Sequence, residues 1–382
     1  MRIIGSLYRK LFTVAGLFVM LFNFMTSHAS NPILVTGIVI DSESKEPLPF
    51  ANVIYAHLGT STNYDGEFVL LIEEPKNEIE LQIKFIGYES IHMTLGSNMQ
   101  DLIIRLQRST HFLEDVTVYS AEQIMLDVNS YKQINYDYKD QLLSTYYKES
   151  VNTTSSCVYI AEGIFDIYLP TIYSNQETKI ESVKTRKKEF ISLDSLGIPM
   201  FNGHASDMIQ SAVRREDSFL HKEEMGNYYY SKEDRTEYDG RNVLVIKFEP
   251  RNKKGTAKGT IYVDSETKAV IKTEYYPTVG NQYFWTNVKW SEEFTQIDGT
   301  WHAHRVSYSG TWDHFGETLT YSALLVITDF ESVTEAPYIV NALRHDAIFF
   351  HEADGFVDDF WDDYNYVKLT LKEKDAVSYG HE

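Results

Sequence analysis

Two hydrophobic rhythms divide the chain. Between Val35 and Leu106, short apolar runs are broken every few residues by Gly, Pro, Asn, Asp and Ser; from Tyr146 onward the runs lengthen and alternate with period two. In the first part Val35 to Ile40, Ala51 to Ala56, Glu67 to Ile72, Glu80 to Phe85 and Leu102 to Leu106 read as strands. Pro47 and Pro49 cannot donate ladder hydrogen bonds, and Asn63-Tyr64-Asp65-Gly66 offers residues that tolerate positive φ, so both stretches read as turns. Short strands, frequent turns and no helical period predict a β-sandwich over residues 31–108.

The second rhythm is clearest in YIAEGIFDIYL, where Tyr159, Ala161, Gly163, Phe165, Ile167 and Leu169 form one apolar face. Leu319, Tyr321, Ala323, Leu325 and Ile327 repeat the pattern in ETLTYSALLVI, so both strands are expected to line one surface. Further strands are predicted at Asn242 to Glu249, Gly259 to Asp264, Ala269 to Tyr276, Tyr283 to Glu292, Trp301 to Tyr308 and Glu317 to Thr328. Tight turns such as VDSETKAV and QIDGTWH make neighbours pair antiparallel. Two helices interrupt. One follows a Ser120 cap, with Gln123 at its third position and Ile124, Met125, Val128 and Tyr131 on one face. The other runs from Gly203 to Asp217 with Met208, Ile209, Ala212 and Val213 along one side. The predicted fold is mainly β: a seven-stranded sandwich at 31–108, a connector with a helix at 109–145, and a larger curved antiparallel sheet with a few packed helices at 146–382.

The first twenty-nine residues stand apart. Arg2, Arg9 and Lys10 precede an apolar run from Leu11 to Met25, and Ser27-His28-Ala29 supplies small residues at a cleavage point, so a secretory signal is expected. The run is about fifteen residues where a membrane span needs about 20. Removing those three cations from the 35 Lys+Arg leaves 32 against 55 Asp+Glu, a formal charge of −23. Such a field repels phosphate backbones and argues against nucleic acid as a partner. A single cysteine, Cys157, rules out an intramolecular disulfide, so stability must come from apolar cores.

Candidate chemistry is sparse. HFLE at His111 to Glu114 and HKEE at His221 to Glu224 match the His-x-x-Glu pair of a zinc peptidase, but neither precedes the alternating strands and helices of its catalytic sheet. His302 and His304 share a strand face near Asp298, Asp313 and His314, a pattern that a solvated face explains as well as a metal site. Glu352 to Asp363 holds six carboxylates without the spacing of a calcium loop; Phe356, Phe360 and Tyr364 at helical spacing predict a docked amphipathic helix instead. Lys184, Arg186, Lys187 and Lys188 form a basic patch that could meet lipid phosphates or an acidic glycan, or could simply protect a strand edge.

TGIVIDSESKEPLPFANV, TSTNYDGEFVLLI and IKFIGYES, in that order within residues 34–108, resemble the carboxypeptidase regulatory-like (transthyretin-like) domain found at the front of many Gram-negative envelope proteins. LSTYYKESV, YIAEGIFDIYLP, FNGHASDMIQ, GTIYVDSETKAVIKTEYY and DDFWDDYNYV are similar to a group of envelope proteins of unknown function, and the strand-turn-strand at Gly259 to Tyr276 resembles the curved half-barrel of periplasmic lipoprotein carriers. The resemblance implies a non-catalytic exported protein of the periplasm or outer membrane, without cofactor or metal, that binds or scaffolds a lipid, glycan or envelope protein, with possible peripheral association with the outer membrane. The alternative is an envelope hydrolase whose site assembles from residues distant in sequence. Phe165, Ile167, Leu319, Tyr321, Ala323 and Leu325 are the candidate groove for an apolar ligand.

Overall fold

The computed structural model describes residues 32–73, 75, 78–96, 99–109, 119–136, 139–171, 176–192, 205–278, 286–314, 316–339, 342–356, 361 and 364–379. The signal segment, HFLE and residues 357–360 and 362–363 of the acidic run lie outside these residues.

Seven strands build the first unit: β1 (Ile33–Asp41), β2 (Asn52–Tyr55), β3 (Leu58–Ser61), β4 (Glu67–Ile72), β5 (Ile79–Lys84), β6 (Ile91–Leu95) and β7 (Leu102–Leu106). They form two sheets, β4-β1-β7 and β3-β2-β5-β6, with β1 and β7 parallel and the other pairs antiparallel. Val35, Val39, Phe68, Leu70, Leu81, Ile83 and Leu106 fill the space between them with no exposure. The turn after β1 is organised by the buried Asp41, whose carboxylate accepts from the Ser44 and Glu43 amides, the Tyr88 hydroxyl and Arg108 Nε. These donors, the Ser44 amide foremost, hold its pKa far below the usual carboxylate range.

A large antiparallel sheet follows. Its first three strands, β8 (Asp140–Asn152), β9 (Cys157–Leu169) and β10 (Lys179–Glu189), lie at one end. Then come β11 (Tyr228–Lys232), β12 (Thr236–Tyr238), β13 (Arg241–Pro250), β14 (Ala257–Asp264), β15 (Val270–Pro277), β16 (Thr286–Ile297), β17 (Thr300–His314) and β18 (Glu317–Val333). Spatial order is β10-β9-β8-β18-β17-β16-β15-β14-β13-β11, with β12 also on β13. The chain therefore starts this sheet near one end, returns from the other by hairpins, and closes β18 against β8. At QIDGTWH, Asp298 and Gly299 take φ of 50° and 86°, the geometry of a two-residue hairpin turn.

One face of this sheet carries two adjoining cores that share Trp290 and Ala303. The first helix, α1 (Ala121–Asn135), is capped by Ser120 Oγ on the Gln123 amide and buries Ala121, Ile124, Met125 and Val128 in one of these cores. Tyr131 departs from the expected face: it is 47% exposed, because the buried stripe ends one turn earlier. Met208, Ile209, Ala212 and Val213 are all buried as expected, yet they ride on a 3-10 turn at Ala205–Ile209 and irregular chain rather than on the predicted helix. Short α2 (Phe349–Glu352) covers the same face through Phe349 and Phe350. The opposite face holds a smaller core of Tyr146, Ile164, Leu324, Val326 and Val367. There the C-terminal segment, ending in α3 (Leu371–Tyr379), packs against both sheet and sandwich. Of the predicted acidic helix, Glu352 is the last residue of α2, while residues 353–356, 361 and 364 are not helical.

Candidate functional site

The expected groove is a filled core. Phe165, Ile167, Leu319, Tyr321, Ala323 and Leu325 share one face as the alternation requires, but each is at most 4% exposed. Phe349 seals the face, standing edge-on to Phe165 and Tyr147 at 5.1 Å from each, and Met208 and Ile209 join the same cluster. The sequence supplied the apolar face correctly; the lid came from separate segments, at Met208-Ile209 and at Phe349.

The basic patch is likewise consumed within the chain. Arg186 is buried, pairs with Glu162 at 2.7 Å, and lies over the rings of Phe356 (4.3 Å) and Trp361 (4.9 Å). Lys187 Nζ donates to the Phe350 carbonyl at 2.6 Å, Lys188 Nζ to that of Val377 at 3.2 Å, and Lys184 stands over Tyr364. The cations fasten the edge strand β10 to the later chain instead of facing solvent together, because their partners carry the carbonyls and rings they need.

His302 and His304 also part company. His302 stacks on Phe330 at 4.1 Å and meets Gln141 at 3.3 Å. In the β16–β17 ladder Glu293 pairs with Arg305 and Phe294 with Ala303, so His304 is the extra residue of a bulge. The bulge turns both His304 and Arg305 toward the sandwich, where His304 meets Ser61 Oγ at 3.4 Å and Arg305 covers the Phe50 ring at 4.4 Å. Burial pushes His304 down to about 4, against the pull of Glu293. No cluster of three His, Cys, Asp or Glu side chains suited to a metal occurs among the described residues.

What the structure does present is a cleft of about 950 Å³ at the rim of the lidded face, bounded by α1, the end of β9, the start of β10, the 206–221 segment and residues 342–345. Its charged lining is Lys132, Lys179 and Arg214 against Glu177 and Glu216, a cationic excess in a chain of net charge −20. Burial, and then the nearby Arg214 guanidinium, lower the Lys132 pKa. Arg214 is fixed by donation from Nη2 to the Pro170 carbonyl at 2.5 Å. His221 of HKEE lines the cleft with a buried Nδ1 that has no partner among the described residues. Behind Lys132 and Arg214 a slot of about 60 Å³ continues inward between Leu143, Leu169, Phe294, Ile327 and Phe330. Of the motifs singled out in the sequence only HKEE reaches this site, through His221, since its walls come from five separated segments.

Two carboxylates are displaced upward to about 7 by burial: Glu149, despite donations from Tyr147 (2.8 Å) and Tyr321 (3.1 Å), and Glu292, despite those of the Ala212 amide (2.8 Å) and Tyr275 (3.0 Å). Both are inside closed cores and line neither the cleft nor the slot.

Residues 35–118 match the family model of the CarboxypepD_reg-like domain. A comparison with curated proteins finds no match. Among solved structures, a domain of the outer membrane lipoprotein-sorting type from Vibrio parahaemolyticus is 13% identical with a TM-score of 0.30, covering 57% of this chain and 95% of that one. A DUF1329 family protein from Desulfovibrio piger is 11% identical with a TM-score of 0.27, covering 58% and 96%. The MucA/MucB complex of Pseudomonas aeruginosa gives 8% and 0.18, covering 56% and 99%. At such scores, what the clefts can bind rests on this chain's own residues.

Proposed function

We propose that this is a non-catalytic exported envelope protein that holds an amphiphile with an anionic head group in the cleft between α1 and the rim of the large sheet. The observation that carries the reading is the junction at Lys132 and Arg214, which line both the polar cleft and the apolar slot behind it. A negative head would meet the two cations, and the slot has room for the end of an acyl chain but not for its length. Each buried methylene would contribute about 0.8 kcal/mol. The sandwich serves as a docking or spacing unit, and the site of action is the periplasm or the inner face of the outer membrane. The two carboxylates raised to about 7 that a hydrolase could draw on, Glu149 and Glu292, are sealed in cores.

The test is binding of a fluorescent lysophosphatidylglycerol to the intact protein. Lys132→Gln is expected to weaken it about tenfold and Leu143→Trp, which fills the slot, to weaken it as well. Equal affinity in both variants would overturn the proposal.

A further inference from the structure

A second cleft, of about 460 Å³, opens on the other face of the large sheet, where the sandwich tip and the C-terminal segment meet β8, β17 and β18. Period-two alternation explains its floor. Val151, Leu319, Tyr321 and Ala323 point into the lidded core, so Ser150, Asn152, Thr320 and Ser322 face the opposite way. Register then aligns them across strands: Ser322 pairs with Ser150 and Thr320 with Asn152, while Ser307 of β17 extends the floor. In a chain whose strands are dominated by aromatic and branched residues, this is a lattice of small hydrogen-bonding groups. No hydrogen bond from Thr320 or Ser322 side chains to other described residues is formed, whereas Ser150 and Ser307 are engaged by Asn152 and Arg305.

The wall above is aromatic. Phe50 and Tyr64 stand edge to face at 4.8 Å, with Phe50 held at a φ of 64°, a conformation rare for a bulky residue. Tyr64 is 54% exposed at the lip. The charged groups around the cleft are already engaged, Lys148 and Glu373 with each other and Lys372 and Asp65 with backbone groups. Lys148 Nζ is 2.9 Å from Glu373 Oε2, Lys372 Nζ donates to the carbonyls of Thr153 and Thr154, and Asp65 accepts the Leu371 amide at 2.9 Å.

We infer that this cleft binds a neutral polyhydroxylated ligand, a short glycan segment, at the junction of sandwich and sheet. An anion would find Lys148 and Lys372 occupied, and a cation would find Glu373 and Asp65 in the same condition. A purely apolar ligand would bury the open hydroxyls of Thr320 and Ser322 without partners, which is unfavourable. Sugar hydroxyls, which donate and accept like the floor they would lie on, satisfy it in both directions. The exposed Tyr64 ring offers an apolar flank with a polar tip, suited to the edge of a sugar ring. The site is independent of the amphiphile cleft, which lies on the other face.

The experiment is calorimetric titration of the intact protein with maltotriose, cellotriose and chitotriose, with thermal melts in parallel. At least one sugar is expected to bind saturably and to raise the melting temperature. The double variant Thr320→Val/Ser322→Ala should lose about tenfold or more in affinity while melting like the parent, and Lys132→Gln should bind the sugar unchanged. Tyr64→Ala, at the exposed lip, should also weaken binding and serves if the double variant does not fold. Failure of all three sugars, binding indifferent to both the floor and Tyr64 variants, or loss on Lys132→Gln would each overturn the inference.

Discussion

Glu149 projects from a strand into a core of Tyr147, Tyr159 and Tyr321, and its carboxyl titrates near 7 rather than at 4.5. Between those values the native state holds a proton that the unfolded chain releases, so stability is greatest below 4.5 and is lost as pH rises through about 7. The amount is about 3 kcal/mol for a fully buried group. Glu292 acts in the same sense and window. His304 acts in the opposite sense: held at about 4 instead of 6.5, it favours folding above 6.5 and that contribution disappears as pH falls through 4. Urea unfolding at pH 5 and pH 8 is expected to show the protein more stable at pH 5 through the two glutamates, partly offset by the histidine. Glu149→Gln should reduce the difference by about 3 kcal/mol; an unchanged difference would assign Glu149 no part in it. Arg186 invites a second measurement. Replacing it by Met strands the buried Glu162, whose pKa burial already raises, and should cost about 3–5 kcal/mol. The further change Glu162→Leu should recover most of that loss, as a double-mutant cycle would show.

At the scale of elements, helix α1 shows how little of a helix's stability here is intrinsic. Its apolar stripe ends at Val128, Tyr131 and Ile134 look outward, and only the polar Asn135, donating to the Thr267 carbonyl, is buried beyond it. Met125, fully buried, should lose about 2–5 kcal/mol on replacement by Ala, and the Ser120 cap about 1 kcal/mol, whereas Tyr131→Ala should stay within about 0.5 kcal/mol. Chemical denaturation of the three variants checks the order. The bulge at His304 is the other decisive element. Without the extra residue, strict alternation would carry one of His304 and Arg305 to the lidded core and leave the sandwich without one of its two contacts.

The whole molecule is tied together by its last described segment. Asn365 pairs with both the amide and the carbonyl of Leu71, Lys374 reaches Glu67 at 2.6 Å, Tyr146 donates to the Val367 carbonyl, and Glu373 neutralises the buried Lys148. Lys84 of the sandwich, paired with Asp239 at 2.8 Å, adds a tie elsewhere along the sheet. Removing residues 361–382 should therefore expose Tyr146, Leu324 and Val326, leave Lys148 unpaired, and lower the melting temperature with loss of a single cooperative transition. Scanning calorimetry that returned one unshifted transition would contradict this.

What depends on neighbours along the chain was legible in the residues alone. Alternation at Tyr159 to Leu169 and at Leu319 to Ile327 fixed two strand faces, Asp298-Gly299 fixed a hairpin, Ser120 fixed a helix start, and the motifs of residues 34–108 fixed a domain type. What those faces meet depended on long-range packing. Phe349 made a core where a groove was expected, Glu162 and three backbone or ring partners absorbed the basic patch, and a one-residue bulge separated His302 from His304. The physical reason is range: backbone propensity and side-chain period act over a few residues, while burial and ion pairing are settled by segments as far as 307 residues apart, as Lys374 at Glu67 shows. Both clefts belong to the second class, since each is the space left between elements that no local pattern connects.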